Sequence, residues 1–74
     1  MPRPVPTDIA GRVIAVLKSP GDRVEDGEAV IMVEAMKMEI PVAAPAAGVL
    51  RSVDVAVDDM VEEDQSVATL EDPA

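Results

Sequence analysis

The chain has 74 residues, with six basic side chains against fifteen acidic ones for a formal net charge of −9, and no cysteine, histidine, phenylalanine, tyrosine or tryptophan. That composition excludes disulfides, thiolate metal sites, the commonest general base and every aromatic platform for stacking a base, sugar or flavin. So acidic a surface repels phosphate backbones, which argues against nucleic acid, and no apolar run nears the ~20 residues that insert across a membrane.

Met1-Pro2-Arg3-Pro4-Val5-Pro6 places prolines where a signal peptide has its apolar stretch. It reads as a semi-rigid lead, and the expectation is a cytoplasmic protein with residues 1–74 forming one domain. Gly11–Leu17 is rich in valine and its relatives and reads as a strand. Pro20-Gly21-Asp22 is a turn, since proline presets φ and glycine tolerates positive φ. Arg23-Val24-Glu25 is a very short extended piece, Asp26-Gly27 a second turn, and Ala29–Ala35 a further strand. Gly48–Val55, Met60-Val61-Glu62 and Ser66–Glu71 are three more strands, with turns at Asp58-Asp59 and Glu63-Asp64.

The second set copies the first. Sliding the sequence by 37 places aligns Ala10–Ala35 with Ala47–Asp72 without a gap. Identical pairs are Ala10/Ala47, Gly11/Gly48, Val16/Val53, Asp22/Asp59, Val24/Val61, Glu25/Glu62, Val30/Val67 and Glu34/Glu71. The repeat also settles the one ambiguous segment. Glu28–Ile40 is full of good helix formers and is followed by Pro41. Its copy Ser66–Leu70, however, is short and β-branched. Strand is therefore the expectation. The fold class predicted is all-β: about eight short strands in two copies related by a pseudo-two-fold axis, as two packed sheets or a flattened barrel. Val13, Val33, Leu50 and Leu70 are expected in an aliphatic core, with Val16, Val24, Val30, Val53, Val61 and Val67.

Lys37 falls where one copy hands over to the other, a natural place for an exposed hairpin, and Lys18 is the only other lysine. Most lysines are merely solvated, so position alone decides little. Its flanks decide more: Met36 and Met38 stand where turns usually hold Gly, Asn, Asp or Pro. Methionine is adaptable and is often used on contact surfaces.

Glu34-Ala35-Met36-Lys37-Met38-Glu39 resembles the attachment motif of biotinyl domains, whose core is Ala-Met-Lys-Met. The likeness runs from about Val5 to Glu71 and includes Pro-Gly-Asp, Asp-Gly and, after the lysine, Ala-Pro-Ala-Ala-Gly. It implies a barrel-sandwich hybrid: a flattened β-barrel of two four-stranded antiparallel sheets with the lysine on a protruding hairpin. It also implies a biotin carboxyl carrier, in which Lys37 receives covalent biotin from a biotin protein ligase. A biotin carboxylase then carboxylates the biotin, and a carboxyltransferase passes the group to an acyl-CoA or 2-oxo acid acceptor. Such partners belong to acetyl-CoA or propionyl-CoA carboxylases, decarboxylases and transcarboxylases. Ala35, Met36 and Met38 complete the motif as recognition residues. The domain itself is expected to be monomeric outside its complex and non-catalytic.

The chemistry suits lysine, whose amine ends a four-carbon stem but is mostly charged at neutral pH, so the ligase must also remove a proton. Stem and valeryl chain together reach roughly 12–14 Å. No long insertion interrupts the first turns, unlike some bacterial acetyl-CoA carboxylase carriers, which points to a short stand-alone type. Two alternatives differ in class. A lipoyl carrier domain of a 2-oxo acid dehydrogenase complex shares the fold but typically flanks its lysine with Asp and Ala. A non-modified interaction module needs no lysine at all. Ser19, Ser52 and Ser66 have no base to work with, so no catalytic residues are expected. The acidic stretch Asp58–Asp64 reads as a solvated face, with no metal site.

Overall fold

A computed structural model describes residues 2–72. Eight strands follow in order: β1 (Arg3–Pro6), β2 (Gly11–Val16), β3 (Arg23–Val24), β4 (Ala29–Ala35), β5 (Met38–Ala43), β6 (Gly48–Val53), β7 (Met60–Val61) and β8 (Ser66–Glu71). They form two antiparallel four-stranded sheets, ordered β1-β8-β6-β3 and β5-β4-β2-β7. Among the described residues there is no helix, and so none long and apolar enough to cross a membrane.

The 37-residue shift maps β2, β3 and β4 onto β6, β7 and β8, and one sheet order onto the other. Each sheet therefore draws strands from both copies. The correspondence reaches single bonds. Gly21 N–H donates to the Leu50 carbonyl at 2.7 Å, and its counterpart Asp58 donates to that of Val13 at 2.7 Å. Register slips between Val13 and Ala15 are matched by slips between Leu50 and Ser52, so each copy carries the same bulge.

The repeat extends further upstream than Ala10: Pro4 and Val5 align with Pro41 and Val42. The proline-rich lead is thus an edge strand, a correction with a plain cause. Proline lacks a donor for the ladder and is tolerated where one side of the strand has no neighbour. Both β1 and β5 are edges, and there β1 holds Pro4 and Pro6 and β5 holds Pro41.

The core is aliphatic and takes a residue from every strand: Val5, Val13, Val24, Ile31, Val42, Leu50, Val61 and Leu70 are among those buried. Of the expected members, Val16 is the exception at 37% exposure. Strand β7 pairs only with Gly11 and Arg12 of β2, as β3 pairs only with Gly48 and Val49 of β6, so Val16 and its copy Val53 both lie at an open edge. Val53 is half-buried against the core.

The turns of copy two lack glycine yet keep the geometry. Asp58 (φ 79°) and Asp64 (φ 67°) occupy the places of Gly21 (φ 94°) and Gly27 (φ 84°). Asp59 Oδ2 accepts the Ala56 N–H at 2.8 Å, as Asp22 Oδ2 accepts that of Ser19 at 2.8 Å. The left-handed conformation is unfavourable for a residue with a Cβ. Asp64→Gly is accordingly expected to stabilise the fold by about 0.5–1 kcal/mol. A thermal melt checks this, and an unchanged or lower midpoint contradicts it.

Candidate functional site

Strands β4 and β5 form a hairpin whose last cross-strand pair is Ala35 with Met38. Only Met36 and Lys37 lie between, at φ 52° and 65°. Positive φ at both central residues is the pattern of the type I′ turn, which matches strand twist and ordinarily takes Asn-Gly. Here two long side chains accept left-handed backbone at about 1–2 kcal/mol each. The surrounding ladder holds them there, because register fixes the turn: Val33 with Ile40, Glu34 with Glu39, Ala35 with Met38.

The four residues of the sequence motif have different fates. Ala35 is buried, so it seats the hairpin on the core and presents no surface. Met36 is 91% exposed and Met38 63%. Neither contributes appreciably to the core, so their apolar area is left facing water. Lys37 is exposed, and among the described residues no carboxylate pairs with it.

Lys18 is the opposite case. Its Nζ lies 2.7 Å from Glu28 Oε2, and Glu28 Oε1 also accepts the Glu25 N–H at 2.9 Å. The hydrogen bond from Lys18, and then that from Glu25, hold the Glu28 carboxyl below its ordinary value, while the same contact with Glu28 raises Lys18. A depressed carboxyl stabilises the fold above its unfolded value and loses that contribution as pH falls through its folded one. A raised ammonium contributes below its unfolded value and loses this as pH rises through the folded one. The pair therefore acts across the neutral range. Gln65 makes the corresponding bond to Glu62 N–H at 3.0 Å, so Glu28→Gln preserves the turn. In that variant the melting temperature is expected to fall less steeply than in wild type between about pH 5 and pH 3. Equal slopes contradict the assignment.

Pairing across β5-β4-β2-β7 lines up Glu39, Glu34, Arg12 and Met60 in one outward row below the hairpin. The like charges Glu34 and Glu39 stand directly opposite, which is unfavourable unless neutralised. Arg12 lies 3.7 Å from Glu34 and 3.5 Å from Asp58, so it ties the hairpin root to the turn before β7. Glu71, the copy of Glu34, likewise pairs with an arginine, Arg51 at 3.2 Å. Glu34 thus has a structural partner. The sequence reading did not single out Arg12 or Met60; only strand register brings them beside the hairpin.

Among the described residues there is no cavity and no cluster of three potential metal ligands. The features that stand out are the hairpin and the face beneath it.

Comparison with known proteins places these features in context. A family model described as "Biotin-requiring enzyme", the biotin/lipoyl attachment family, matches residues 1–70. The biotinylated protein TB7.3 homolog of Mycobacterium leprae is 36% identical over 70 residues, covering 95% of this chain and 99% of that one. Among solved structures, urea carboxylase of Kluyveromyces lactis superposes with a TM-score of 0.91 at 32% identity, over 96% of this chain. This chain corresponds to only 6% of that enzyme. The lipoyl domain of the 2-oxoglutarate dehydrogenase complex from Azotobacter vinelandii superposes at 0.71, with 26% identity, over 88% of this chain and 82% of that one. The chain belongs to the biotin/lipoyl attachment family.

Proposed function

We propose that this chain is a biotin carboxyl carrier in which Lys37 bears biotin through an amide bond. The observation that carries this reading is Lys37 at the tip of a two-residue hairpin, unpaired and flanked by exposed Met36 and Met38. An acylating enzyme meets an amine that no neighbouring side chain occupies. Its own task is to take the proton and supply the activated carboxyl group.

The rest of the domain supports the carrier reading. The fold presents Lys37 on a protruding hairpin, a mounting from which a reactive group extends away from the sheets. Biotin tethered to Lys37 meets successive active sites at high effective concentration. When bound, biotin would supply a ureido nitrogen able to carry a carboxyl group, taken from bicarbonate at the expense of ATP in a biotin carboxylase, to the acceptor held by a carboxyltransferase. The biotinylated mycobacterial relative supports this choice of cofactor.

Lipoyl domains share the fold, so the second reading is a lipoyl carrier, favoured by the Azotobacter superposition. The test separates them directly. Purified protein is treated in parallel with a biotin protein ligase and a lipoate–protein ligase. The products are then given biotin carboxylase, ATP and labelled bicarbonate. Label is expected on the biotinylated product alone. Lipoylation in preference to biotinylation overturns the reading.

A further inference from the structure

The pseudo-two-fold axis supplies an internal control for which surface residues the fold itself requires. Strands β7 and β3 are copies: both have two residues, with the first exposed and the second buried, and both pair antiparallel with the start of a longer strand. The first residue is Arg23 in β3 but Met60 in β7. Met60 is 70% exposed. The geometry is therefore satisfied by a fully polar head, and an exposed thioether at Met60 has no structural requirement behind it. The same asymmetry recurs at Met32, whose copy is Thr69. All four methionines among the described residues lie on β5-β4-β2-β7 or its hairpin.

We propose that Met60 is a docking contact for the biotin protein ligase, part of one face that runs from the hairpin across the outward row of its sheet. This rests on the reading of Lys37 as the attachment point. Strands lie ~4.8 Å apart, so two steps from β7 to β4 and a rise of a few residues put Met60 roughly 10–15 Å from the hairpin tip. A standard interface of about 800 Å² per partner is a patch roughly 30 Å across. That exceeds the 17 Å and 16 Å shorter dimensions of the domain, so a protein seated on the tip reaches Met60 as well.

Acylation of Lys37 makes contact with the hairpin and its surroundings obligatory for the ligase. Carboxylase and carboxyltransferase active sites engage biotin at the end of an arm of roughly 12–14 Å, so their working groups stay that far from the sheet. The ligase must instead bring the Lys37 amine itself to the activated acyl group, and its body comes down on the bare hairpin. The β4-β2-β7 ladder sets the spacing of hairpin and β7, with Arg12 bridging Glu34 and Asp58 along it, so the two apolar contacts are presented together. Unneutralised Glu39 on the same row suits a partner with basic groups around an apolar patch.

The experiment compares ligase kcat/KM for wild type, Met60→Arg, Met60→Gln, Met60→Leu and, on the other sheet, Arg23→Met. Arg at residue 60 reproduces what β3 already accommodates, so folding is expected to be unchanged and is checked by thermal melt. Losing an apolar contact covered by the ligase is expected to lower kcat/KM about five- to tenfold in both polar variants, with leucine within about twofold of wild type. Arg23→Met is expected to leave it unchanged. Polar variants within twofold of wild type, or an equal loss in Arg23→Met, overturn the proposal while the attachment reading stands. A wild type that the ligase cannot label overturns that reading, and this one with it.

Discussion

Lys37→Arg is expected to abolish biotinylation and leave the melting temperature within about 2 °C of wild type. Guanidinium keeps the charge but is not an acceptor for the acyl group, since it stays protonated under all working conditions. Lys37 is exposed and makes no ion pair among the described residues, so nothing in the fold is lost. Lys18→Arg is the paired control. It is expected to be labelled like wild type, because Lys18 is engaged by Glu28 and lies away from the hairpin. Lys37→Gly sharpens the contrast. Relieving one positive φ should raise stability by up to about 1 kcal/mol while removing the attachment point. A variant that is more stable and inactive is what strain held at a functional position entails. Label remaining on Lys37→Arg would falsify the assignment.

The second large effect is on the fold. Gly48→Ala is expected to lose about 3 kcal/mol, which is much of the roughly 4–11 kcal/mol that a domain of this length possesses. A Cβ at residue 48 overlaps the Glu71 carbonyl oxygen and comes within 3.1 Å of Leu70 Cγ. Backbone of the neighbouring strand cannot yield as a flexible side chain would. At roughly 4–8 °C per kcal/mol the midpoint falls by about 12–24 °C. Gly11→Ala is expected to behave alike, since its Cβ overlaps the Glu34 carbonyl oxygen and lies 2.7 Å from Val33 Cγ1. Gly21→Ala meets nothing within 4 Å and pays only for its φ of 94°, about 1 kcal/mol. Differential melts rank the three. A Gly48→Ala midpoint within a few degrees of wild type contradicts the close strand approach.

These predictions also show where the sequence was readable. The shift of 37 residues identifies the strand pairs, because both copies obey the same turn chemistry and bury the same valines. It also overrides the helix propensity of Glu28–Ile40, which folds as β4, a turn and β5. Its upstream extension through Pro4/Pro41 and Val5/Val42 was present in the sequence and marks the proline lead as an edge strand.

Other features were not legible, for physical reasons. Val16 and Val53 both sit beyond a bulge, at the end of a strand whose outer edge is only partly paired, and alternation along the strand does not encode that. The row joining Glu39, Glu34, Arg12 and Met60 depends on register across three strand pairs. Met36-Lys37 breaks the usual composition of its turn, and only the backbone shows that both residues take positive φ. Local rules fail there, and under the proposed attachment role those turn residues answer to a partner and not to the fold.

The most direct test of the central claim is a tryptic map of the protein after incubation with biotin, ATP and a biotin protein ligase. Trypsin cuts after free lysine and not after an amide-blocked one. Unmodified chain yields separate peptides ending at Lys37 and at Arg51, the first beginning at Val24. The expected product is a single peptide from Val24 to Arg51 carrying one biotinyl group, with the formal net charge of the chain moving from −9 to −10. Biotin on the peptide that holds Lys18, or cleavage still occurring after Lys37 in protein that has gained biotin, contradicts it.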